Sequence, residues 1–219
     1  GRVDDEVQHQ VFISRDFEIQ TTDVTQAQYV KVMGFNPSRF QKRENCPESF
    51  AVVEGINICP NYPVENTSFN DAKLFIYRLN STQRGPYFYR LPTEAEWEFA
   101  ARSGSQTAYS FGSDPAQLSQ YGWFDRNSGG QTHAVGTRKP NAYGLYDMHG
   151  NVWQWVQDWY GDYPSGDTVD LQGPLAGGSH VIRGGSWGYN AECARSATRS
   201  RESPGYGFDL LGFRLVRTQ

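Results

Sequence analysis

Long apolar runs are missing from this chain. No stretch of about eighteen consecutive apolar residues occurs, so no segment reads as a membrane-spanning helix. Leu, Ile and Met are scarce, Met occurring only twice, which argues against a helical bundle packed on aliphatic side chains. Excess positive charge is missing too. The formal net charge is -4 and the pI near 5.6, and neither supplies the basic footprint that nucleic-acid binding needs. There is no Gly-rich phosphate loop, no nucleophile elbow and no Cys-x-x-Cys pair. His9, His133 and His180 stand alone, with no second ligand at zinc spacing. No targeting segment is visible, and Gly1-Arg2-Val3 reads as a trimmed start, so a missing leader excludes nothing.

Rings and turns take the place of aliphatic residues. Of 219 residues 15% are aromatic, with six Trp and thirteen Tyr, beside 23 Gly and 11 Pro. That composition and a mean hydropathy of -0.66 describe a polar-surfaced, loop-rich globular fold whose core is built on aromatic side chains. No internal repeat or linker divides it, so residues 1–219 read as one domain. Cys46 and Cys59, each followed by Pro, lie in the irregular segment 40–62. They either close a short disulfide ring, as in an exported protein, or remain two reduced thiols, and Cys193 is left single.

Regular elements are few. Residues 11–19 read as one strand. Thr25 with Gln28 makes a capping box, and Tyr29, Val32 and Met33 continue an apolar helical face that stops at Gly34. Ser68 with Asp71 starts a second helix that buries Ala72, Phe75, Ile76 and Leu79, and Thr93 with Glu96 starts a third around Trp97, Ala100 and Ala101. Glu94, Glu96 and Glu98 sit in the third helix's first turns, where carboxylates complement the macrodipole, so they read as structural and not as acid/base groups. Near the end, Arg183-Gly184-Gly185-Ser186-Trp187 and Gly212-Phe213-Arg214-Leu215-Val216-Arg217 have the look of framework. Between them, residues 188–210 show neither a helical stripe nor sustained alternation, and their Tyr, Phe, Ser, Gly and Asn suit a recognition surface.

Four blocks, Arg90 to Arg102 (RLPTEAEWEFAAR), Tyr143 to Trp155 (YGLYDMHGNVWQW), Arg183 to Trp187 and Gly212 to Val216, resemble in order the signature blocks of the formylglycine-generating-enzyme (sulfatase-modifying factor) family. The resemblance covers nearly the whole chain. It implies an α+β, C-type-lectin-like fold with little regular secondary structure and long ordered loops. It also implies a structural calcium ion held by Asp147, the carbonyls of Gly150 and Val152, and position 154, where the family's Glu is Gln154 here. The family's oxidases hold copper on two cysteines just past the Gly-Gly-Ser-Trp block. The first falls here at about Tyr189, and Cys193 stands one residue short of the second, so a two-thiolate copper site is not expected and the chain reads as a non-enzyme.

The chain is also similar to the variable proteins of diversity-generating retroelements, which carry their diversified segment between these last two blocks. Adenine-directed mutagenesis of AAC codons yields only residues with codons ending in C. Gly188, Tyr189, Asn190, Thr198, Ser200, Arg201, Ser203, Tyr206, Gly207, Phe208, Asp209 and Leu210 are all reachable in that way. The resemblance implies ligand binding at these positions, with an external protein or cell-surface molecule as partner, an extracellular or cell-surface location, and a monomer. A formylglycine-generating-type copper oxidase and a non-catalytic accessory domain of that family are the alternatives.

Overall fold

The computed structural model describes residues 4–219, and Gly1 to Val3 lie outside the described part. In chain order the elements are β1 (Val11–Phe12), β2 (Glu18–Ile19), α1 (Gln26–Met33), β3 (Ala51–Val53), β4 (Ile56–Ile58), α2 (Phe69–Thr82), β5 (Phe88–Arg90) and α3 (Glu94–Arg102). Then come β6 (Trp153–Trp159), β7 (Thr168–Val169), β8 (His180–Arg183), β9 (Arg199–Glu202), β10 (Leu211–Phe213) and β11 (Val216–Thr218). Two 3₁₀ turns, Pro115–Gln120 and Ala191–Ala194, punctuate the long loops.

All three helices start where their capping boxes require. Thr25, Ser68 and Thr93 each accept from the backbone N–H three residues on, and Gln28, Asp71 and Glu96 reach back to the cap. Gly34 ends α1 in the left-handed region, at φ 79°. On α1 the buried residues are Gln26, Tyr29, Val30 and Met33, while Val32 is only half-buried. Gln26 is inside because its amide answers three backbone groups. Its Nε2 donates to Phe40 O and Pro63 O, and its Oε1 accepts from Cys59 N and also from the Asn36 side chain.

A four-stranded sheet, ordered β10-β6-β8-β9, forms the centre. β10 runs parallel to β6, and the other pairs are antiparallel. Because side chains alternate across a strand, β6 serves two cores. Trp153 and Trp155 join Phe213, Ile182 and the inner faces of α1 and α2, including Tyr29, Phe69 and Phe75. Val156 joins Val181, Met148 and α3's Trp97, Ala100 and Ala101 on the other face. The sheet is therefore sandwiched between α1–α2 and α3. The two chain ends meet in a second sheet, β2-β11-β5.

The single strand read over residues 11–19 is divided in two. β1 pairs in parallel with β7, β2 pairs antiparallel with β11, and between them Ser14 is held by the Asp170 carboxylate. The segment 40–62 is less irregular than its composition suggests, since β3 and β4 form a hairpin across Glu54-Gly55, at φ 50° and 81°. Cys46 and Cys59 are joined by a disulfide that closes this segment onto α1. The three isolated histidines are used as rings: His9 lies against Tyr163, His133 stacks on Trp123, and His180 lies between Phe69 and Trp159.

Candidate functional site

The frame around residues 188–210 is held by buried polar anchors. Arg183, fully buried, donates to Glu98 and to the Thr198 carbonyl and lies 3.4 Å from Glu94. Glu94 also takes a two-pronged bond from Arg199, at 2.7 and 2.9 Å. Glu94 and Glu98 are thus partners of arginines on β8 and β9, and Glu96 takes a two-pronged bond from Arg90 on β5. Trp187 donates Nε1–H to the Asp209 carbonyl at 2.8 Å and stands edge-on to Phe40 at 5.4 Å. Leu210 O accepts from Trp153 N at 2.7 Å, tying the end of the segment into the central sheet.

On this frame the twelve predicted positions divide. Gly188, Tyr189 and Asn190 are exposed and adjoin Leu210: a Cβ at Gly188 would lie 2.9 Å from Leu210 Cδ2. Tyr189 sets its ring against Trp153, with centroids 5.8 Å apart, and Asn190 caps the following 3₁₀ turn by accepting from Cys193 N. Tyr206, more than half exposed, stacks on Phe208. Asp209 forms an ion pair with Arg39, whose side chain is 67% exposed. Phe208 and Leu210 are half-buried and pack against the core, with Tyr189, Asn190 and Tyr206 exposed beside them.

The others separate. Residues 199–202 form the edge strand β9, contrary to the loop expected across 188–210. Pairing to β8 was invisible in so short a polar stretch, because it depends on contacts with β8 and α3. Ser200 lies opposite Ile182 and Arg201 opposite Val181, so the two point to opposite faces of the sheet. Arg201 is laid over Tyr160 at 4.5 Å, on the α3 face. Thr198 is buried, donating Oγ1–H to Glu192 O at 3.0 Å. Ser203 is exposed at the turn leaving β9. Gly207 presses against another part of the chain: a Cβ there would come within 2.9–3.0 Å of the backbone of Asn66, Thr67 and Ser68.

Sequence reasoning missed the N-terminal half of this site. Arg39, Phe40 and Asn66 border the segment, and Asn66 N donates to Phe208 O at 3.0 Å. Only their distance in sequence hid them. Beneath lies Glu65, fully buried, with Oε1 accepting from Phe40 N and Oε2 unpartnered. Burial raises its pKa to about 8.

The residues named for calcium do not fit that ion. Gln154 is fully buried and its Oε1 already accepts from Trp97 Nε1 at 2.6 Å and Arg214 Nε at 2.7 Å, while its Nε2 donates to Asp147 O. Arg214, also fully buried, donates to Tyr146 O as well, so a cation already stands in this neighbourhood. Asp147 bonds Gly136 N through Oδ2, leaves Oδ1 unpartnered, and is raised by burial to about 6. Gly150, at φ 112°, passes so near Trp123 O that a Cβ would meet it at 2.3 Å, and Val152 is buried beside it. Among the described residues no three His, Cys, Asp or Glu side chains gather to hold an ion. Nor do the residues fit a paired-thiolate copper site. Cys46 and Cys59 are bonded to each other, leaving Cys193 as the free thiol, half-buried with its pKa raised by burial and by Glu192. The Ser110–His149 contact, 2.9 Å, offers only a poor base, since burial lowers His149 to about 4.

A lectin-like α+β frame with few regular elements and long ordered loops defines a class of protein by its fold, and known proteins share that fold. The chain belongs to the family described as sulfatase-modifying factor enzyme 1-like domain, whose model matches residues 1–219. It is 36% identical to the formylglycine-generating enzyme of Streptomyces coelicolor over 172 residues, 71% of this chain and 52% of that protein. It is 40% identical to the serine/threonine-protein kinase pkn1 of Chlamydia pneumoniae over 133 residues, 58% of this chain and 21% of the kinase. The chain thus spans about half of the first relative's length and a fifth of the second's. Among solved structures it is similar to Treponema denticola variable protein 1, with a TM-score of 0.82 and 34% identity, covering 95% of this chain and 86% of that one. PvdO from Pseudomonas aeruginosa follows at a TM-score of 0.75 and 28% identity, covering 93% and 80%. The fold is of the formylglycine-generating-enzyme, C-type-lectin-like type.

Proposed function

We propose that this protein binds an external ligand, a protein or cell-surface molecule, through a diversified surface carried on a rigid lectin-like frame. The reading rests chiefly on one observation. Gly188, Tyr189, Asn190 and Tyr206 are exposed, Gly188 adjoins Leu210, Tyr206 stacks on the half-buried Phe208 and Asp209 pairs with the exposed Arg39, while the flanking Arg183 and Arg214 are fully buried and Trp187 donates to Asp209 O. Such a frame suits recognition, because a pre-ordered loop loses little entropy on binding. Tyr189, Tyr206 and Phe208 are the anchors, since aromatic residues dominate hot spots. The likeness to a protein named a variable protein supports diversification of this surface. The Cys46–Cys59 disulfide suits an extracellular or cell-surface location.

Sequencing the DNA beyond the 3′ end of the gene tests this directly. A nearby near-copy of the last hundred or so bases, differing only where the copy carries adenine and lying beside a reverse transcriptase gene, is the expected result. Absence of any such copy from the complete genome would refute diversification. A copper oxidase of the formylglycine-generating type is the second reading, favoured by the 36% identity to the Streptomyces coelicolor enzyme. It requires stoichiometric copper lost on Cys193→Ser, whereas the binding reading expects no such copper.

A further inference from the structure

A concavity lies away from the 188–210 segment, with none of that segment's residues in its lining. It is a groove of about 690 Å³ between α1, α2 and the β2-β11-β5 sheet, within the usual size range of small-molecule sites. Its floor is apolar, built from Val32, Phe75, Leu79, Leu215 and Val216, so the aromatic core shared by α1 and α2 reaches solvent here.

The charges around that floor are unbalanced. Glu18 is the acidic residue of the lining, and it is engaged by Arg217 Nε and Nη2 at 3.1 and 2.6 Å. Lys31 and Arg78 also line the groove, and among the described residues neither lies within ion-pair distance of a carboxylate. Arg78 spends one N–H on Met33 O, at 3.1 Å, which fixes its side chain across the α1–α2 gap and leaves the rest of the guanidinium free to donate. Lys31 and Arg78 come from the two helices that flank this apolar floor. Two unneutralised cations over an apolar floor complement an amphipathic anion: the head would take charge-assisted hydrogen bonds from Lys31 and Arg78 while the tail covers Val32, Leu79 and Leu215.

We propose that this groove is a binding site for a small amphipathic carboxylate, one anionic head on a chain-like or ring-like apolar body. The site is independent of the diversified surface, so it can fail without touching that reading.

Dodecanoate, kept well below its micelle concentration, is the probe, and dodecyltrimethylammonium is its mirror in charge. The measurements are titration calorimetry and amide chemical shifts on the whole chain. Dodecanoate is expected to bind with a Kd of about 10–100 μM, moving amides of Val32, Leu79 and Val216, and the cationic probe at least about tenfold more weakly. The double variant Lys31→Glu, Arg78→Glu should reverse that preference. The comparison of the two probes on the parent chain needs no variant and stands even if the double variant does not fold. Equal affinity for the two probes, shifts confined to other surfaces, or no saturable dodecanoate binding would each overturn the proposal. So would a concentration-dependent dimer that dodecanoate dissolves, because the occupant would then be a second copy of the chain.

Discussion

Gly207→Ala is the substitution that most directly probes how the 206–210 loop is held. The new Cβ would stand 2.9 Å from Ser68 N, 2.9 Å from Thr67 C and 3.0 Å from Asn66 C. Carbon contacts are comfortable at roughly 3.5–4.0 Å, so half an ångström or more must be found somewhere. The opposing atoms are backbone, and they are pinned. Asn66 N donates to Phe208 O, Asn70 N to Pro204 O, and Ser68 is the cap of α2, with its hydroxyl and N–H both bonded to Asp71. Relief must therefore come from backbone shifts, which cost about 1–3 kcal/mol in a well-packed site, with up to about 1 kcal/mol more if the α2 cap loosens. For a chain of this length about 2 kcal/mol lowers the Tm by roughly 4–8 °C. Gly188→Ala is the control: its Cβ would meet only the flexible end of Leu210, so its stability should stay within about 0.5 kcal/mol of the parent. Urea unfolding and thermal melts of the three proteins read the difference. A Gly207→Ala melt indistinguishable from the parent would refute the contact.

Two further outcomes can be stated from the geometry. Reduction of the Cys46–Cys59 ring, whose members are 13 residues apart, should cost about 3 kcal/mol by the chain-entropy relation; a melt unchanged by dithiothreitol would show that the loop needs no covalent closure. Glu65, raised from 4.5 to about 8 by burial, holds its proton in the folded state and loses it more readily when unfolded. Its contribution to stability is therefore fully present below about pH 4.5 and lost as pH rises towards about 8. Glu65→Gln should flatten the stability profile across that window, and an equally sloped profile in the variant would assign the dependence to other groups.

The capping boxes at Thr25, Ser68 and Thr93 and the stop at Gly34 were all legible in the sequence because each is a contract among residues three or four apart. So was the aromatic core, because composition leaves little else to fill it. The four motif blocks carried the family and fold, whereas the segment 188–210, read as one irregular stretch, contains the strand β9 of the central sheet. The chain's pairings were not legible. Nothing local says that residues 11–19 divide between β7 and β11, or that 199–202 becomes an edge strand with Ser200 and Arg201 on opposite faces.

The same limit applies to the site. Twelve positions were named from their residue types, but which of them face solvent together depends on Arg39, Asn66 and Trp153, far away in the chain. Likewise Gln154 could be read as a weakened metal ligand until its carbonyl oxygen was found occupied by Trp97 and Arg214. Sequence by itself determined the helices and the core chemistry, which follow from propensity and pattern along the chain, and its four motif blocks carried the family resemblance. Tertiary structure alone decided the strand partners, the grouping of the surface and the fit of ions, because each depends on groups brought together only when distant segments pack.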